Sequence, residues 1–236
     1  NQLPVHEGRW IMALYALAEL VSAETKMIII SNPHNPVGRA WTEEELRQLA
    51  DICLKNNIII LSDEIHCDLT LPGFHHTPVA KLSEDIADIT ATCIAPTKTF
   101  NLAGLSTSSV IISNPVLRKY FNRKVEILHI GNGNIFGNIA SIAAYSEGQE
   151  WLNALVDYIS GNVNYVTGFC RELIPEIIPV QPEATYMIWL DCRKFGMTGK
   201  ELQSFFVNKA GVGMNEGSTF GPGGEGFMRM NVATTR

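Results

Sequence analysis

The chain has 236 residues, 46% of them hydrophobic, and a formal net charge of −6 at pH 7. This length and composition can bury a full core, in one large domain or in one domain and part of another. The acidic balance and the lack of a long basic run argue against nucleic acid and against an anionic membrane surface, so we expect a small-molecule partner. No apolar run approaches the roughly 20 residues that span a bilayer, and we expect no secretory leader.

The cysteines are scattered, mostly through apolar segments, and form no CxxC pair. An odd number of cysteines without metal-ligand spacing is typical of reduced thiols, so we expect packing roles and a cytoplasmic protein. The five are Cys53, Cys67, Cys93, Cys170 and Cys192.

The first quarter of the chain predicts two helices and two strands. Apolar residues at helical spacing predict the first helix over 12–23, and the apolar run at 26–30 predicts a buried strand. Thr42, with Glu45 three residues later, has the pattern of a capping box that begins the next helix. A second strand is predicted over 58–62. Strand, helix and strand with short links form a parallel βαβ unit, whose unbroken apolar strands we expect to be covered on both faces.

The middle of the chain predicts two more strands and then a series of helices. The strands at 89–95 and 108–113 are separated by too few residues for a crossover helix, so we expect them to run antiparallel near a sheet edge. The elements that follow are helices at about 115–129, 136–146 and 149–173, with a glycine- and asparagine-rich break at 131–134.

A second, smaller α+β unit is predicted at the C-terminal end. Pro175, Pro179 and Pro182 punctuate the chain there and indicate a hinge. The elements predicted beyond them are a strand (184–190), a helix (198–209), a glycine-rich loop (220–226) and a strand (227–232). We therefore divide the chain into a large domain, residues 1–174, and a small domain, residues 175–236.

Three predicted strands of the large domain end in residues that can carry chemistry: Asn35, Asp63 and Lys98. In an open α/β sheet, ligands bind in the crevice beyond the carboxyl ends of the strands. A lysine in such a crevice loses its proton easily and can attack a carbonyl, and a carboxylate can keep the nitrogen of a pyridine-type cofactor protonated. Taken singly, the three could equally be a solvated lysine, a strand-end carboxylate and an asparagine that holds a turn.

The three motifs that contain these residues, SNPHNPVG, SDEIH and APTKTFNLAGL, resemble the aminotransferase class I/II superfamily of pyridoxal-phosphate (PLP) enzymes. They resemble most closely the MalY/PatB-type cystathionine β-lyase branch, over about 26–236. The resemblance implies an aspartate-aminotransferase-like fold, with a three-layer α/β/α large domain around a mostly parallel sheet and part of a smaller α+β domain. It also implies that the large domain is N-terminally incomplete.

The resemblance assigns a role to each matching position. Lys98 would hold PLP covalently and then move protons, Asp63 would bind the ring nitrogen, and Asn35 would donate a hydrogen bond to the ring oxygen. His66 stands where many aminotransferases have a tyrosine, as in the lyase branch. Arg229 would bind the substrate carboxylate beside Asn35, because a guanidinium grips both carboxylate oxygens, although a surface arginine on an edge strand is the alternative.

Two departures from the aminotransferase pattern concern the phosphate. Ser106 replaces an arginine that stands eight residues after the lysine, and Ala95 replaces a serine three residues before it. The hydroxyls of Thr97 and Ser106 could hold the phosphate instead. Arg236 resembles a common family ending, and we assign it no role.

Other candidates are weaker. His75 and His76 lack further ligands at metal spacing, so we expect solvent-exposed loop histidines and no metal site. The loop Gly221 to Gly226 does not join a strand to a helix in a βαβ unit, so it is not a dinucleotide fingerprint.

We therefore expect a PLP-dependent carbon–sulfur β-lyase that cleaves cystathionine or another cysteine-S-conjugate into a thiol, pyruvate and ammonia. An aminotransferase is the first alternative, because it would use the same residues. A non-catalytic binding or regulatory protein on the same fold is the second. The family resemblance further implies a homodimer.

Overall fold

The structure, a computed structural model, describes residues 3–6, 8–131 and 133–235. Arg236, and Asn132 in the predicted break between two helices, lie outside the described residues. The described chain forms two four-stranded sheets, a short hairpin and flanking helices.

The elements follow the predicted order with some additions. The strands are β1 (Val5–His6), β2 (Arg9–Trp10), β3 (Met27–Ser31), β4 (Ile59–Asp63), β5 (Thr90–Ile94), β6 (Ser109–Ile112), β7 (Ile178–Val180), β8 (Met187–Asp191), β9 (Asn215–Glu216) and β10 (Phe227–Asn231). The helices are α1 (Leu14–Leu20), α2 (Glu43–Lys55), α3 (Glu84–Asp88), α4 (Pro96–Thr99), α5 (Pro115–Ile127), α6 (Ile135–Glu147), α7 (Gln149–Leu173) and α8 (Gly199–Phe205).

The first sheet has the strand order β3-β4-β5-β6. Strands β3, β4 and β5 are parallel and β6 is antiparallel to β5, which confirms both predictions. Ser31 pairs with Asp63, and Asp63 pairs with Cys93. The carboxyl ends of the three parallel strands are therefore level with one another at one edge of the sheet.

Helix α2 begins with the predicted capping box. The hydroxyl of Thr42 accepts a 3.2 Å hydrogen bond from the backbone nitrogen of Glu45, whose carboxylate accepts one of 2.9 Å from the backbone nitrogen of Thr42. One face of the helix packs against β3 and β4, and each fully buried leucine or isoleucine there contributes about 1.5–3 kcal/mol. The buried residues of this core include Ile30, Leu46, Leu49, Ala50, Cys53, Ile58 and Ile60.

The opposite face of β3 is open. Ile29 is 70% exposed and Met27 is 49% exposed. The expectation that this strand is covered on both faces is therefore wrong for the described residues, because α2 covers one face and no described element covers the other at these positions.

The second sheet has the order β7-β8-β10-β9 and is antiparallel throughout. Helix α7 packs its C-terminal half onto this sheet, although its sequence precedes the predicted hinge. The residues that meet in this core include Ile159, Val163 and Cys170 of α7 and Ile188, Leu190 and Met228 of the sheet.

Some boundaries differ from the prediction for local reasons. Strand β8 begins at Met187 and not at residue 184, because Thr185 is left-handed (φ +71°) and its nitrogen donates to Leu69 at 2.8 Å. Strand β7 contains Pro179 at the edge of the sheet, where a missing donor is tolerated. Helix α8 ends at Phe205 and continues as a π-helical turn.

Candidate active site

Lys98 lies in α4, the short helix that follows β5 at the carboxyl edge of the first sheet. Pro96 occupies the first turn of this helix, where no backbone donor is needed, and Asn101 is left-handed (φ +54°) just beyond its end. The buried hydroxyl of Thr99 donates a 2.8 Å hydrogen bond to Asp68 and anchors the helix. Lys98 is half-buried, and its amine makes no hydrogen bond or ion pair within the described part of the chain.

Asp63, the last residue of β4, presents a carboxylate at the same edge. Its Oδ1 accepts a 3.3 Å hydrogen bond from the backbone nitrogen of Ile65, and Oδ2 has no partner among residues 3–6, 8–131 and 133–235. Cys93 stands beside it on β5, where burial, and then the charges of Asp63 and Glu64, raise the pKa of the thiol. At this edge of the sheet, the amine of Lys98 and Oδ2 of Asp63 therefore have no hydrogen-bonding partner among the described residues.

His66 joins this edge three residues after Asp63. Its side chain is buried, and burial, followed by the positive charges of Lys98 and Arg229, lowers the pKa of the imidazole to about 4. The ring of Tyr186 packs edge-on against His66, with centroids 5.7 Å apart. His66 is therefore neutral at pH 7 and adds no charge to the site.

Arg229, on β10 of the second sheet, reaches the turn that follows β3. Its Nη1 donates a 3.0 Å hydrogen bond to Oδ1 of Asn35, and its Nη2 donates one of 2.9 Å to Oδ1 of Asn215. The guanidinium carbon lies 4.5 Å from the centre of the Phe220 ring. Burial lowers the pKa of Arg229, while the proximity of Tyr186 raises it. The Nε donor is buried without a partner among the described residues, so the cation has unused hydrogen-bonding capacity.

The turn that carries Asn35 is closed by backbone hydrogen bonds. The nitrogen of His34 donates to the oxygen of Arg39 at 2.7 Å, and the nitrogen of Gly38 donates to the oxygen of His34 at 2.8 Å. Gly38 is left-handed (φ +73°), a conformation that a glycine in a turn adopts without steric cost. The Asn32-Pro33 and Asn35-Pro36 peptide bonds are cis.

The two predicted phosphate-binding hydroxyls are uncommitted. Thr97 is half-buried beside Lys98, and Ser106 is exposed and left-handed (φ +49°) after the 3₁₀ turn Ala103–Leu105. Neither hydroxyl makes a hydrogen bond with another described residue, so Ser106 is not linked to the other predicted site residues by its side chain. Their role in holding a phosphate stays a prediction.

Similarity to known proteins agrees with this geometry. The sequence profile of the aminotransferase class I and II family matches residues 4–236. The chain belongs to this family. The family assignment confirms the resemblance carried by the three motifs.

Several members of the family are similar to the chain in sequence and in structure. It is 43% identical to cystathionine beta-lyase PatB of Bacillus subtilis over 214 aligned residues. This alignment covers 91% of the chain and 55% of PatB. The structure matches PLP-containing cystalysin from Treponema denticola with a TM-score of 0.94 at 36% identity, over 98% of the chain and 59% of cystalysin. It also matches the PLP-bound C-S lyase from Staphylococcus hominis, in complex with L-cycloserine, with a TM-score of 0.89 at 37% identity, over 98% of the chain and 57% of that structure. The predicted fold class is confirmed, and the chain spans little more than half the length of these relatives.

Sequence reasoning did not find several residues that shape the site in this family member. Tyr186 packs on His66, Phe220 lies against the guanidinium of Arg229, Asn215 accepts from it, and Asp68 anchors α4. None of them belongs to the three motifs. Asn215 is on β9, Tyr186 directly precedes β8, and Phe220 ends the 3₁₀ turn between β9 and β10. Only the way the two sheets meet reveals them.

One of the two loop histidines contradicts the prediction. His75 is exposed as expected, but the side chain of His76 is only 10% exposed, and its Nε2 lies 2.8 Å from Oε2 of the buried Glu64. The other oxygen of Glu64 accepts from the hydroxyl of Ser62 at 2.8 Å and from the nitrogen of Val79 at 3.1 Å. The spacing around His76 does not reveal this contact, because the carboxylate partner lies twelve residues upstream, directly after β4. Within the described ranges, no group of three or more His, Cys, Asp or Glu side chains could hold a metal ion.

All five cysteines lie within the described chain and are free. Burial raises the pKa of Cys53 to about 11, and burial with nearby acidic charges raises the pKa of Cys67 and Cys192 to about 12. Such thiols are poor nucleophiles near pH 7, in agreement with a packing role. In the part of the chain that the structure describes, the helices are all too short or too polar to cross a membrane.

Proposed function

We propose that this protein is a PLP-dependent carbon–sulfur β-lyase, which cleaves the Cβ–S bond of cystathionine or another cysteine-S-conjugate. The observations that carry the proposal are the level carboxyl ends of the parallel strands, where Asp63 ends β4 and Lys98 follows β5, and the 3.0 Å hydrogen bond from Arg229 to Asn35 in the turn after β3. We infer that the amine of Lys98, the carboxylate of Asp63 and the guanidinium of Arg229 act together at this edge of the sheet. The 43% identity to a cystathionine beta-lyase supports the lyase activity over the other activities of the family.

The unused groups of this edge fit PLP. The Lys98 amine suits the cofactor's aldehyde, the free oxygen of Asp63 suits a ring nitrogen, and the hydroxyls of Thr97 and Ser106 suit a phosphate. When bound, the cofactor supplies an electron sink for the carbanion that forms at the substrate α-carbon.

We assign the remaining steps to the chain's own residues. Arg229 binds the substrate carboxylate with its unpaired Nε as a donor, and Asn35 orients both the guanidinium and the cofactor. The Lys98 amine removes the α-proton. The Cβ–S bond then breaks, the sulfur leaves with its electron pair and takes a proton, and the three-carbon remainder is hydrolysed to pyruvate and ammonia.

The test is pyruvate release from cystathionine in the absence of any keto acid. A β-lyase releases pyruvate continuously, whereas an aminotransferase stops after one turnover until a keto acid is added. Lys98→Ala is expected to lower kcat by on the order of a thousandfold or more. Lys119→Ala, which removes an exposed lysine on α5, is the matched control and should leave the rate unchanged.

A simpler measurement distinguishes a PLP-dependent enzyme from a non-catalytic protein on this fold. Borohydride treatment of the PLP-loaded protein should fix the cofactor to the peptide that contains Lys98, as read by mass spectrometry. A protein that remains colourless with PLP and unlabelled at Lys98 would contradict the enzyme assignment.

We further propose a homodimer. Helix α6 leaves Ile135, Phe136, Ile139 and Ile142 between 63% and 74% exposed, and contiguous apolar surface of this kind marks interfaces. Sedimentation velocity should give twice the chain mass, and Ile139→Glu should lower it. A monomer at micromolar concentration would contradict the dimer.

Two further assignments stay proposals. We place the domain boundary near residue 175, with α7 packing on both sides of it, and limited proteolysis should cut there first. We place the protein in the cytoplasm, as the cysteine spacing indicates, and cell fractionation tests this.

A further inference from the structure

Four charged side chains form a network behind the Asn35 turn. Nε of Arg39 donates to Glu183 at 3.0 Å and its Nη2 donates to Glu45 at 2.7 Å, while Nε of Arg9 donates to Glu183 at 2.7 Å. The side chains of Arg39 and Glu183 are only 3% and 7% exposed. The two arginines and the two glutamates together have no net charge. Arg39 and Glu183 form the buried centre of this network.

Glu183 also binds the backbone of the turn. Its carboxylate accepts a 3.0 Å hydrogen bond from the nitrogen of Ala40, and its own nitrogen donates to the oxygen of Gly38 at 2.7 Å. The nitrogen of Ala184 donates to the same oxygen at 3.0 Å. One glutamate therefore holds both the side chain and the main chain of the segment that follows Asn35.

The same residue is fixed to the rest of the site. The backbone oxygen of Glu183 accepts a 2.9 Å hydrogen bond from the nitrogen of Leu71, in the stretch that leads on from His66. Four residues later the chain enters β8, whose Trp189 pairs with Arg229 of β10. Glu183 thus lies where the Asn35 turn, the segment after His66 and the Arg229 sheet meet.

We propose that Glu183 is a positioning residue for recognition of the substrate carboxylate, through its buried ion pair with Arg39. Asn35 and Arg229 come from different sheets, and their 3.0 Å contact requires the turn and the second sheet to keep one alignment. A shift of about 1 Å at such a contact can reduce catalysis by on the order of a hundredfold. Glu183 sets that alignment from behind, without touching substrate or cofactor.

The network contains its own matched control. Glu45 binds the same guanidinium, but the other hydrogen bonds of its side chain within the described chain are those of the capping box of α2. Removing the charge of Glu183 should therefore disturb the alignment, whereas removing that of Glu45 should not. Both changes leave Arg39 short of a partner, and the unfolding free energy of each variant separates a general loss of stability from a loss of alignment.

This inference rests on the proposed role of Arg229, and binding measurements test it in the PLP-loaded protein. L-Alanine has the amine and the carboxylate but no leaving group, and methylamine has the amine alone. Calorimetric titration of Glu183→Gln should give an L-alanine dissociation constant raised about tenfold, with that of methylamine unchanged. Glu183→Asp, which keeps the charge but shortens the reach, should also weaken L-alanine binding, and Glu45→Gln should leave it within about twofold.

The outcomes separate the two proposals. Equal weakening of both ligands, or equal effects of Glu183→Gln and Glu45→Gln, would overturn the positioning role and leave only a structural one. If wild-type protein binds L-alanine but releases no pyruvate from cystathionine, the lyase activity fails while the comparison of variants still stands. Thermal unfolding of each variant, measured alongside, identifies any that does not fold, and Glu183→Asp then carries the comparison.

Discussion

Asn35 and Arg229 are joined by a 3.0 Å hydrogen bond between Oδ1 and Nη1, although the residues are separated by 194 positions in the chain. The bond connects the turn after β3 in the first sheet to β10 in the second. It also occupies one end of the guanidinium, while Asn215 occupies the other and Nε stays free. The arginine is therefore held in place before any carboxylate binds.

This arrangement predicts a binding defect when the guanidinium is removed. Arg229→Gln should raise KM for an amino-acid substrate about 10- to 100-fold, because a charge-assisted hydrogen-bonding pair contributes about 1.5–3 kcal/mol. Initial-rate kinetics across a range of cystathionine concentrations measure the effect. Arg47→Gln, which removes a partly exposed arginine paired with Glu43 on α2, is the control.

Two results would contradict the assignment. An unchanged KM in Arg229→Gln would place carboxylate recognition elsewhere. A similar loss in Arg47→Gln would show that general charge, and not the Arg229 site, attracts the substrate.

Local patterns in the sequence predicted the elements that depend on neighbouring residues. The capping box at Thr42 and Glu45, the parallel strands ending near Asn35 and Asp63, and the antiparallel pairing after Lys98 are all present. Each follows from spacing within a few residues, which is why it can be read without coordinates.

Features that depend on distant contacts were not predictable in the same way. His76 was expected in solvent because its partner, Glu64, lies in another motif. The start of β8 was misplaced because a hydrogen bond from Thr185 to Leu69 competes with the strand. The expectation that Arg229 acts together with Lys98 needed a family resemblance, since nothing local to either residue indicates the other.

The buried histidines predict a loss of stability in acid. The pKa values of His34 and His66 are both lowered from 6.5 to about 4, chiefly by burial. Between these values the unfolded chain binds more protons than the folded one, so the contribution to stability is present above pH 6.5 and is lost as pH falls towards 4. Each histidine should reduce the free energy of unfolding by about 2 kcal/mol between pH 7 and pH 5.

Urea titrations at several pH values test this prediction. His66→Asn should have a shallower dependence on pH between 7 and 5 than the wild type, and His75→Asn, at an exposed position, should not. Parallel pH profiles for wild type and His66→Asn would show that His66 keeps an ordinary pKa.

The anchor of the lysine helix predicts a coupled pair. Thr99→Val keeps the shape of the side chain but removes the donor to Asp68, and it should lower the free energy of unfolding by about 1–2 kcal/mol. Combining it with Asp68→Asn in a double-mutant cycle should give a coupling of at least about 0.5 kcal/mol. Additive effects would mean that the 2.8 Å contact does not stabilise α4.

The contact of the Asn35 turn with the segment between β7 and β8 can be tested through two glycines. Gly38 (φ +73°) and Gly211 (φ +69°) have the same left-handed backbone, so alanine at either position should cost about 1–2 kcal/mol. A Cβ at Gly38 would lie 2.7 Å from Cβ of Pro182, whereas one at Gly211 would meet nothing within 4 Å. Gly38→Ala should therefore be more destabilising than Gly211→Ala by at least about 1 kcal/mol, because it must also push the turn away from Pro182.

The same displacement would separate Asn35 from Arg229. We therefore expect Gly38→Ala to weaken L-alanine binding as well as lower the unfolding midpoint in urea, while Gly211→Ala affects the midpoint alone. If the two variants lose the same stability and bind L-alanine equally well, the turn does not depend on its close contact with Pro182. The strain would then come from the backbone alone, and the alignment of Asn35 with Arg229 would be set by other contacts.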